Sequence, residues 1–428
     1  MLRMAEIGYQ DIIGFDKPLD DKDKNTIRRK LYYIHPTQSG NKLEMKALHI
    51  SGNKNEMEKL YDVISENLKK VFGRPSTVIV FLNPIGGSAN AQSIYKHDVE
   101  PILKMADIKC ELKVSEKADH FKELVKTVDF RPYDAIVIIG GDGTFNEVIG
   151  GLIQKTQTES GVNCHDQAAQ LKAVDIPVAF IPAGTGNGMA SVAHGCVDVR
   201  TSTLHILKGQ TKKLPVFGNF CSSVLVGYSF LMTAYGMFAE LMYYVDYHRW
   251  MKKLRYVFLP AWFLFFKTFR QVDAEVTYEV FEDDVAKLQD ETVSKTVTKM
   301  MTITSIFALT SRSKGIFDDC SFEEIKSNDY AVVMTYKPTR RQKMISHFAK
   351  FRNKFSKKAI DALDFASLHP IQSMKVKIPN SESDMDLIVN MDGEIFKLPH
   401  PEIYIKYMPG MYRLFSSFEH QEAPREGD

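Results

Sequence analysis

The stretch IVIIGGDGTFNEVIGGL, residues 136–152, joins an apolar run, a glycine turn and a mixed polar and apolar segment. The run AIVII (135–139) lacks the 3.6-residue period of a surface helix, so it predicts a strand buried on both faces of a parallel sheet. Glycines lie on both sides of Asp142 in the turn that follows, at Gly140, Gly141 and Gly143. Glycine permits backbone dihedrals and close approaches that other residues do not. A helix is predicted from Thr144, and the order strand, turn, helix directs free N–H groups at an anion such as phosphate.

Two more strand-to-glycine turns flank this one. VIVFL (78–82) leads into NPIGGS (83–88), and PVAFI (177–181) leads into PAGTGNG (182–188). In a doubly wound sheet the carboxyl ends of successive strands open onto one crevice, so three such turns predict a polyphosphate cradle. No turn is followed by GK[ST] and none spells GxGxxG, which argues against a P-loop or a dinucleotide-binding turn. A single glycine cluster would more often be only a tight turn.

The chain changes character near residue 210. Before it, strand and helix patterns alternate, which predicts right-handed βαβ units and a parallel sheet. After it, alternating or β-rich runs predict an antiparallel sandwich or curled sheet. We therefore expect an N-terminal extension at 1–74, an α/β nucleotide-binding lobe at 75–210, a β-rich lobe at 211–416 and a polar tail at 417–428.

The three turns, read as FLNPIGGSAN, GGDGTFNEVIGGL and IPAGTGNGMA, together resemble the catalytic domain of the diacylglycerol, sphingosine and ceramide kinases. The likeness covers residues 45–416. Within that family the chain is most similar to ceramide kinases, through GLIQKTQTESGVN, TSTLHILKG, HRWMKKLRY and YRLFSS. The resemblance implies a parallel-sheet lobe similar to those of phosphofructokinase and NAD kinase, a larger β lobe, and an active site in the cleft between them.

The resemblance also implies an ATP- and Mg²⁺-dependent phosphoryl transfer, which needs positioned phosphates, neutralised charge and a base for the attacking hydroxyl. Asp142 is the predicted general base for a lipid primary hydroxyl, and its alternative role is to cap the helix that follows. Asp392 in the turn MDGE is the predicted metal ligand, because carboxylates suit Mg²⁺, although such a turn alone indicates only a hairpin. The predicted nucleotide-binding residues are Asn83, Pro84, Gly86, Gly87, Gly141, Gly143, Thr144, Gly184, Thr185, Asn187, Arg249, Arg255 and Glu394.

The lipid acceptor is predicted from the segment GMFAELMYYVDYHRW, residues 236–250. Alignment on sphingosine kinases places Glu240 at one aspartate and Met242 at the aspartate that recognises the amine, so both are predicted lipid-binding residues. A sphingoid base carries an ammonium that gains from a facing carboxylate, whereas ceramide has a neutral amide there. An apolar Met242 therefore favours ceramide, with Asp246 one helical turn further on. The ceramide kinases' cysteine cluster and complete pleckstrin-homology domain are absent, and PAGTGN is similar to the general lipid-kinase turn.

Two stretches are predicted to reach a bilayer. Tyr256–Phe266 (YVFLPAWFLFF) is apolar, interrupted by Pro260 and flanked by cations, which suits an interfacial patch; a buried core segment is the alternative. Thr339–Lys358 carries eight Lys or Arg and no acidic residue. Its Met and Phe residues recur at helical spacing, which fits a lipid surface or a calmodulin-like partner, with a solvated helix as the alternative.

Composition limits the possible partners and the cellular compartment of the protein. A charge of +2 is close to balanced and implies no nucleic-acid partner, and five cysteines without metal-ligand spacing fit a reduced compartment. The amino end has acidic residues where a signal peptide needs an apolar core, and no 18-residue apolar run occurs, so we expect a cytoplasmic protein peripherally associated with membranes. The segment 55–71 predicts an amphipathic helix, which fits either a pleckstrin-homology remnant or a plain extension.

The sequence leaves three other functions open. Sphingosine or diacylglycerol kinase activity is the alternative within the family. A catalytically silent regulator that binds lipid or nucleotide is a second, and a soluble nucleotide or NAD kinase is a third.

Overall fold

The computed structural model describes residues 7–16, 26–38, 42–85, 90–267, 270–279, 296–310, 331–336 and 366–416. Within some of these ranges the side chain is not described, and Arg249 is one such residue. The predicted basic stretch Thr339–Lys358 lies outside the described residues, as do Gly86 and Gly87. No helix in the described ranges is long and apolar enough to cross a bilayer.

The first elements form a three-stranded antiparallel sheet, in the order β1-β2-β3, with one long helix. The helix begins after Asn53, whose side-chain oxygen accepts from Glu56 N at 2.9 Å, and it buries Met57 and Ile64. The predicted amphipathic helix at 55–71 is confirmed. In chain order the elements are a 3₁₀ turn (Tyr9–Asp11), β1 (Ile12–Phe15), β2 (Thr26–Pro36), β3 (Leu43–Asn53) and α1 (Lys54–Lys69).

The next elements alternate strand and helix, as predicted. They are β4 (Thr77–Leu82), α2 (Ala91–Ile94), a π-helical turn (Tyr95–Val99), α3 (Glu100–Met105), β5 (Lys109–Val114), α4 (His120–Thr127), β6 (Ala135–Gly140), α5 (Asp142–Glu159), β7 (Val178–Pro182), α6 (Gly188–His194) and α7 (Val199–Lys208). The four strands are parallel and lie in the order β7-β6-β4-β5. All six residues of β6 are buried, because helices cover both faces of a parallel sheet.

The remaining elements are mostly antiparallel strands, which confirms the predicted β-rich half. They are β8 (Thr211–Cys221), β9 (Val224–Ser229), β10 (Met232–Gly236), α8 (Met237–Tyr247), a 3₁₀ segment (Arg249–Leu254), α9 (Arg255–Phe266), β11 (Val272–Glu279), β12 (Thr296–Ile303), β13 (Ser305–Thr310), β14 (Ala331–Tyr336), β15 (Ala366–Ile371), β16 (Ser373–Lys377), a 3₁₀ turn (Asp384–Leu387), β17 (Ile388–Met391), β18 (Glu394–Lys397) and β19 (Glu402–Phe415). One sheet has the order β15-β14-β13-β10-β17-β18, and β12-β11-β16-β19 are neighbours in another.

The chain divides into two compact units that do not follow chain order. Unit 1 is Met1–Gly151, Val174–Lys213 and Tyr412–His420, and unit 2 is Leu152–Ala173, Leu214–Met411 and Gln421–Asp428. In unit 1 a hydrophobic cluster gathers around Val80, Val137 and Ile181 of the parallel strands. In unit 2 the inward residues of β11, β16 and β19 form another hydrophobic cluster, because successive side chains along a strand point to opposite faces of the sheet.

A buried histidine pair joins the helices α6 and α7 of unit 1. His194 Nε2 lies 3.2 Å from the carbonyl oxygen of Phe180 and must donate to it. The neutral His194 ring therefore accepts at Nδ1, and His205 Nδ1 donates to it at 2.7 Å. Burial lowers the pKa of His194 to about 4. Burial and the neighbouring His194, Lys208 and Lys212 lower the pKa of His205 to about 2.

These lowered pKa values predict acid sensitivity below the ordinary histidine pKa of about 6.5. Below that pH the two histidines are protonated in the unfolded chain but stay neutral in the folded protein. The free energy of unfolding therefore decreases as pH falls towards 4. The slope should approach about 1.4 kcal/mol per pH unit for each histidine well below pH 6.5, which gives about 2 kcal/mol in total between pH 6.5 and pH 5.5. Urea unfolding at a series of pH values measures it. His205→Leu should roughly halve the slope, and an unchanged slope would show that other groups cause it.

Candidate active site

The three glycine turns lie side by side at one edge of the parallel sheet. Leu82 pairs with Ile139, and Gly140 pairs with Pro182, so β4, β6 and β7 end at the same level. Backbone hydrogen bonds continue this alignment beyond the strands, from Asn83 N to Ile139 O at 3.0 Å and from Ala183 N to Gly140 O at 2.8 Å. The described parts of the turns therefore meet at the sheet edge where ligands bind in open α/β sheets.

The second and third turns touch through their backbones. A Cβ built on Gly184 would clash with Gly141 Cα and lie 2.9 Å from Gly186 O. A Cβ on Gly140 would lie 2.7 Å from the Oγ1 of Thr144. None of Gly140, Gly141, Gly184 and Gly186 has positive φ, so they do not supply left-handed backbone. The predicted close approach is seen instead, between the backbones of Gly141 and Gly184 and between Gly140 and the side chain of Thr144.

Asp142 links the same two turns. It is the first residue of α5, but its carboxylate accepts hydrogen bonds from Gly188 N at 2.9 Å and Met189 N at 3.0 Å, at the start of α6. The helix that Asp142 caps is thus α6, two elements further along the chain, and not the α5 helix that the sequence suggested. Burial raises the pKa of the Asp142 carboxyl, and the two backbone donors partly oppose this. Two N–H donors and the positive end of α6 hold the carboxylate in one orientation.

Two asparagines stabilise the first and third turns from within. Asn83 donates through Nδ2 to Thr144 Oγ1 at 2.9 Å, while its Oδ1 accepts from Ile85 N at 3.0 Å. Asn187 accepts from Gly184 N and donates to Gly184 O, both at 3.0 Å. These predicted nucleotide-binding residues therefore shape the turns with their side chains. The hydroxyl-bearing Thr185 is exposed, whereas Thr144 is buried.

Asp392 and Glu394, in unit 2, lie at the hairpin between β17 and β18. Asp392 and Gly393 both have positive φ, 53° and 93°, as a two-residue type I′ turn requires. The Asp392 carboxylate accepts from three successive backbone N–H groups, those of Phe230, Leu231 and Met232, at 2.6–2.9 Å. These three donors occupy much of the acceptor capacity of the carboxylate.

The side chain of Glu394 is exposed. No group of three or more His, Cys, Asp or Glu in the described residues is arranged to hold a metal. Mg²⁺ in kinase sites is bound by one or two carboxylates together with substrate phosphates, so a larger protein cage is not required.

The other predicted residues lie on the helices of unit 2. Arg255, at the start of α9, donates to Val245 O at 3.4 Å and to Tyr256 Oη at 2.9 Å, and its buried Nε has no partner among the described residues. On α8, Glu240 is buried and forms an ion pair with Lys267, while Met242 is half-buried. Residues two positions apart lie about 200° apart around a helix, so Glu240 and Met242 point to different sides. Sequence reasoning missed Lys267, because no local pattern connects residues 27 positions apart.

Comparison with known proteins agrees with this geometry. Residues 77–218, which include all three turns and Asp142, match the model of the diacylglycerol kinase catalytic domain. This part of the chain is therefore similar to a diacylglycerol kinase catalytic domain. This confirms the resemblance drawn from the glycine turns.

Several known proteins are similar to part of this chain. Ceramide kinase of Homo sapiens is 34% identical over 195 residues, which are 46% of this chain and 36% of that protein. Sphingosine kinase 1 of Arabidopsis thaliana is 31% identical over 189 residues, 43% of this chain and 36% of that protein. The match thus spans little more than a third of each relative's length.

Solved structures show the fold. The crystal structure of a diacylglycerol kinase from Bacillus anthracis str. Sterne has a TM-score of 0.52 and 13% identity, and the match covers 80% of this chain and 97% of that one. A second structure from that strain has a TM-score of 0.55, 14% identity and coverages of 80% and 96%. The predicted class, a parallel-sheet α/β part followed by a β-rich part, is confirmed.

The contact between turns predicts a specific sensitivity at Gly184. Gly184→Ala should destabilise the catalytic domain by about 1–3 kcal/mol, because the new Cβ overlaps backbone that has no room to yield. Denaturant unfolding measures the loss. Gly52→Ala is the control, since its Cβ would meet Glu56 and Met57 at an ordinary 3.5 Å. Equal midpoints for both variants would contradict the proposed backbone contact.

Proposed function

We propose that the protein is an ATP-dependent lipid kinase that transfers the γ-phosphate to the primary hydroxyl of a sphingolipid, with ceramide as the favoured acceptor. The observation that carries this proposal is the set of three glycine turns at one sheet edge with Asp142 fixed between two of them. Kinase chemistry consists mainly of positioning and charge neutralisation, which backbone N–H groups in such turns supply. The named relatives that share the catalytic domain include ceramide and sphingosine kinases, which supports a sphingolipid acceptor.

In this proposal the nucleotide phosphates bind to the glycine turns, and Asp142 accepts the proton of the attacking hydroxyl. Burial raises its pKa, which increases its basicity, and the α6 donors limit that rise. Mg²⁺, when bound with the nucleotide, neutralises phosphate charge, with Asp392 as its proposed protein ligand. Arg249, Arg255 and Glu394 are proposed to contribute to the nucleotide site. Met242 and Glu240 are proposed to lie near the lipid headgroup.

Replacement of Asp142 tests the catalytic role. Asp142→Asn should lower turnover by about 10²- to 10⁴-fold while leaving ATP binding measurable, because the amide cannot accept the proton. Labelled ATP and Mg²⁺ are offered with ceramide, sphingosine or diacylglycerol in separate mixed micelles. Phosphorylated ceramide from the wild type, lost in the variant, is the expected result.

Asp198→Asn provides the matched control. Asp198 caps α7 by accepting from Thr201 N at 2.8 Å, so its replacement makes the same change of carboxylate to amide at a helix cap but touches no glycine turn. Because asparagine also caps helices well, it should cost less than about 0.5 kcal/mol of stability and leave turnover unchanged. Equal turnover loss in both variants would show that Asp142 acts only as a helix cap and not as a base. No phosphorylated product from any lipid would favour a silent regulator instead.

We also propose that α9 contacts the bilayer, as the sequence suggested for Tyr256–Phe266. Large apolar side chains are exposed along it, with Val257 at 68%, Phe258 at 59% and Phe266 at 78%, while Leu259 and Phe263 are buried. The flanking cations Arg255 and Lys267 suit anionic headgroups. Val257 and Phe266 lie about 180° apart around the helix, with Phe258 between them, so exposed apolar side chains cover about half of its circumference.

Vesicle binding tests this contact. The double variant Val257→Ser/Phe266→Ser should lose at least about 10-fold in affinity for anionic vesicles, since each buried apolar side chain is worth about 1.5–3 kcal/mol. Sedimentation with phosphatidylserine-containing vesicles measures it. Phe72→Ser is the control, because Phe72 is 97% exposed in unit 1 and lies outside α9. Equal losses for both variants would contradict a role for α9.

A further inference from the structure

A buried ion pair connects the two helices α8 and α9. The side chain of Glu240, on α8, is 8% exposed, and its carboxylate pairs with the ammonium of Lys267, which follows the last residue of α9 and is 27% exposed. Lys267 Nζ also donates to Tyr244 Oη at 2.9 Å. It lies 4.2 Å from the centre of the Tyr244 ring and 5.3 Å from that of Phe263.

Lys267 is held in its charged form by its hydrogen bonds. Burial acts to lower the pKa of Lys267, but the hydrogen bonds to Glu240 and Tyr244 outweigh it and the pKa is raised. Lys267 therefore stays protonated at neutral pH. An unpaired buried carboxylate would be costly, and the ammonium removes that cost. Glu240 thus presents a neutralised carboxylate to any ligand that approaches α8.

The ion pair lies next to the apolar face of α9. The Tyr244 hydroxyl accepts from Lys267. The centroid of the Tyr244 ring lies 6.2 Å from those of Trp262 and of Phe263. Trp262 is partly exposed, on the same helix as Val257 and Phe266. A continuous set of contacts therefore runs from the buried carboxylate to the surface proposed to meet the bilayer.

We infer that Lys267 determines acceptor selectivity, by occupying the Glu240 carboxylate and so favouring lipids with a neutral headgroup over lipids with an ammonium group. This inference rests on the lipid kinase function proposed above. A cationic sphingoid base would find its counter-ion already paired and would meet the like charge of Lys267. The amide of a ceramide or the ester of a diacylglycerol carries no charge to be repelled, and the ammonium can donate a hydrogen bond to its carbonyl oxygen.

The test is the ratio of kcat/KM for sphingosine to kcat/KM for ceramide. Lys267→Met frees Glu240 and should raise this ratio by about 10-fold or more, the value of one charge-assisted hydrogen bond. Because both substrates are measured on one preparation, partial loss of folded protein cancels from the ratio. Lys267→Arg keeps a cation on Glu240 and should retain the wild-type ratio. Lys397→Met, at an exposed lysine of β18, is the control for loss of positive charge.

The double variant Lys267→Met/Glu240→Gln separates the carboxylate from the loss of the lysine. It should return the ratio to about the wild-type value, since no carboxylate then remains for the ammonium. If Lys267→Met proves inactive on both lipids, Lys267→Gln replaces it in the same comparison. An active variant with an unchanged ratio, or a raised ratio that persists in the double variant, would overturn the inference. Absence of lipid phosphorylation by the wild type would instead reject the proposed function.

Discussion

The contact between the backbones of Gly141 and Gly184 is the constraint on which the candidate site depends. Two turns from adjacent parallel strands approach so closely that neither can carry a side chain at the contact. Asp142 then fastens the second turn to the first residues of α6. The strands β6 and β7 that carry these turns are wholly buried, so the turns are anchored to the packed core of unit 1. Precise placement of backbone donors follows from packing and does not require a flexible loop to order itself.

Polar side chains in this protein hold its turns together as much as they face its surface. Asn83, Asn187 and Asp392 each satisfy backbone groups of their own or a neighbouring turn. Asp392 is the extreme case, since one carboxylate accepts from three consecutive backbone N–H groups. A residue of this kind can resemble a catalytic acid in sequence while its geometry is that of a cap. The two roles are compatible only where a lone pair remains accessible.

Much of the fold was predictable because its signals are local. Strands β4, β6 and β7 are continuous apolar runs that lead into glycine turns, and α1 has a helical stripe, so period and turn chemistry sufficed. The candidate site was predictable as a set of turns, but the partners of its side chains were not. Asp142 binds residues 46 and 47 positions away, and Glu240 pairs with a lysine 27 positions away. Such pairings depend on how helices meet in space, and neither period nor composition carries that information.

The apolar face of α9 has a consequence for the protein in the absence of lipid. Val257, Phe258 and Phe266 together form an uncovered hydrophobic patch of the kind that soluble monomers seldom display. In dilute buffer, burial of such a surface lowers the free energy. Copies of the chain should therefore associate and adsorb to plastic, and the concentration of protein in solution should fall with time. Mild detergent should reverse this without unfolding the protein. The apparent size and specific activity of the purified protein should therefore depend on protein concentration and on surfactant, independently of its chemistry.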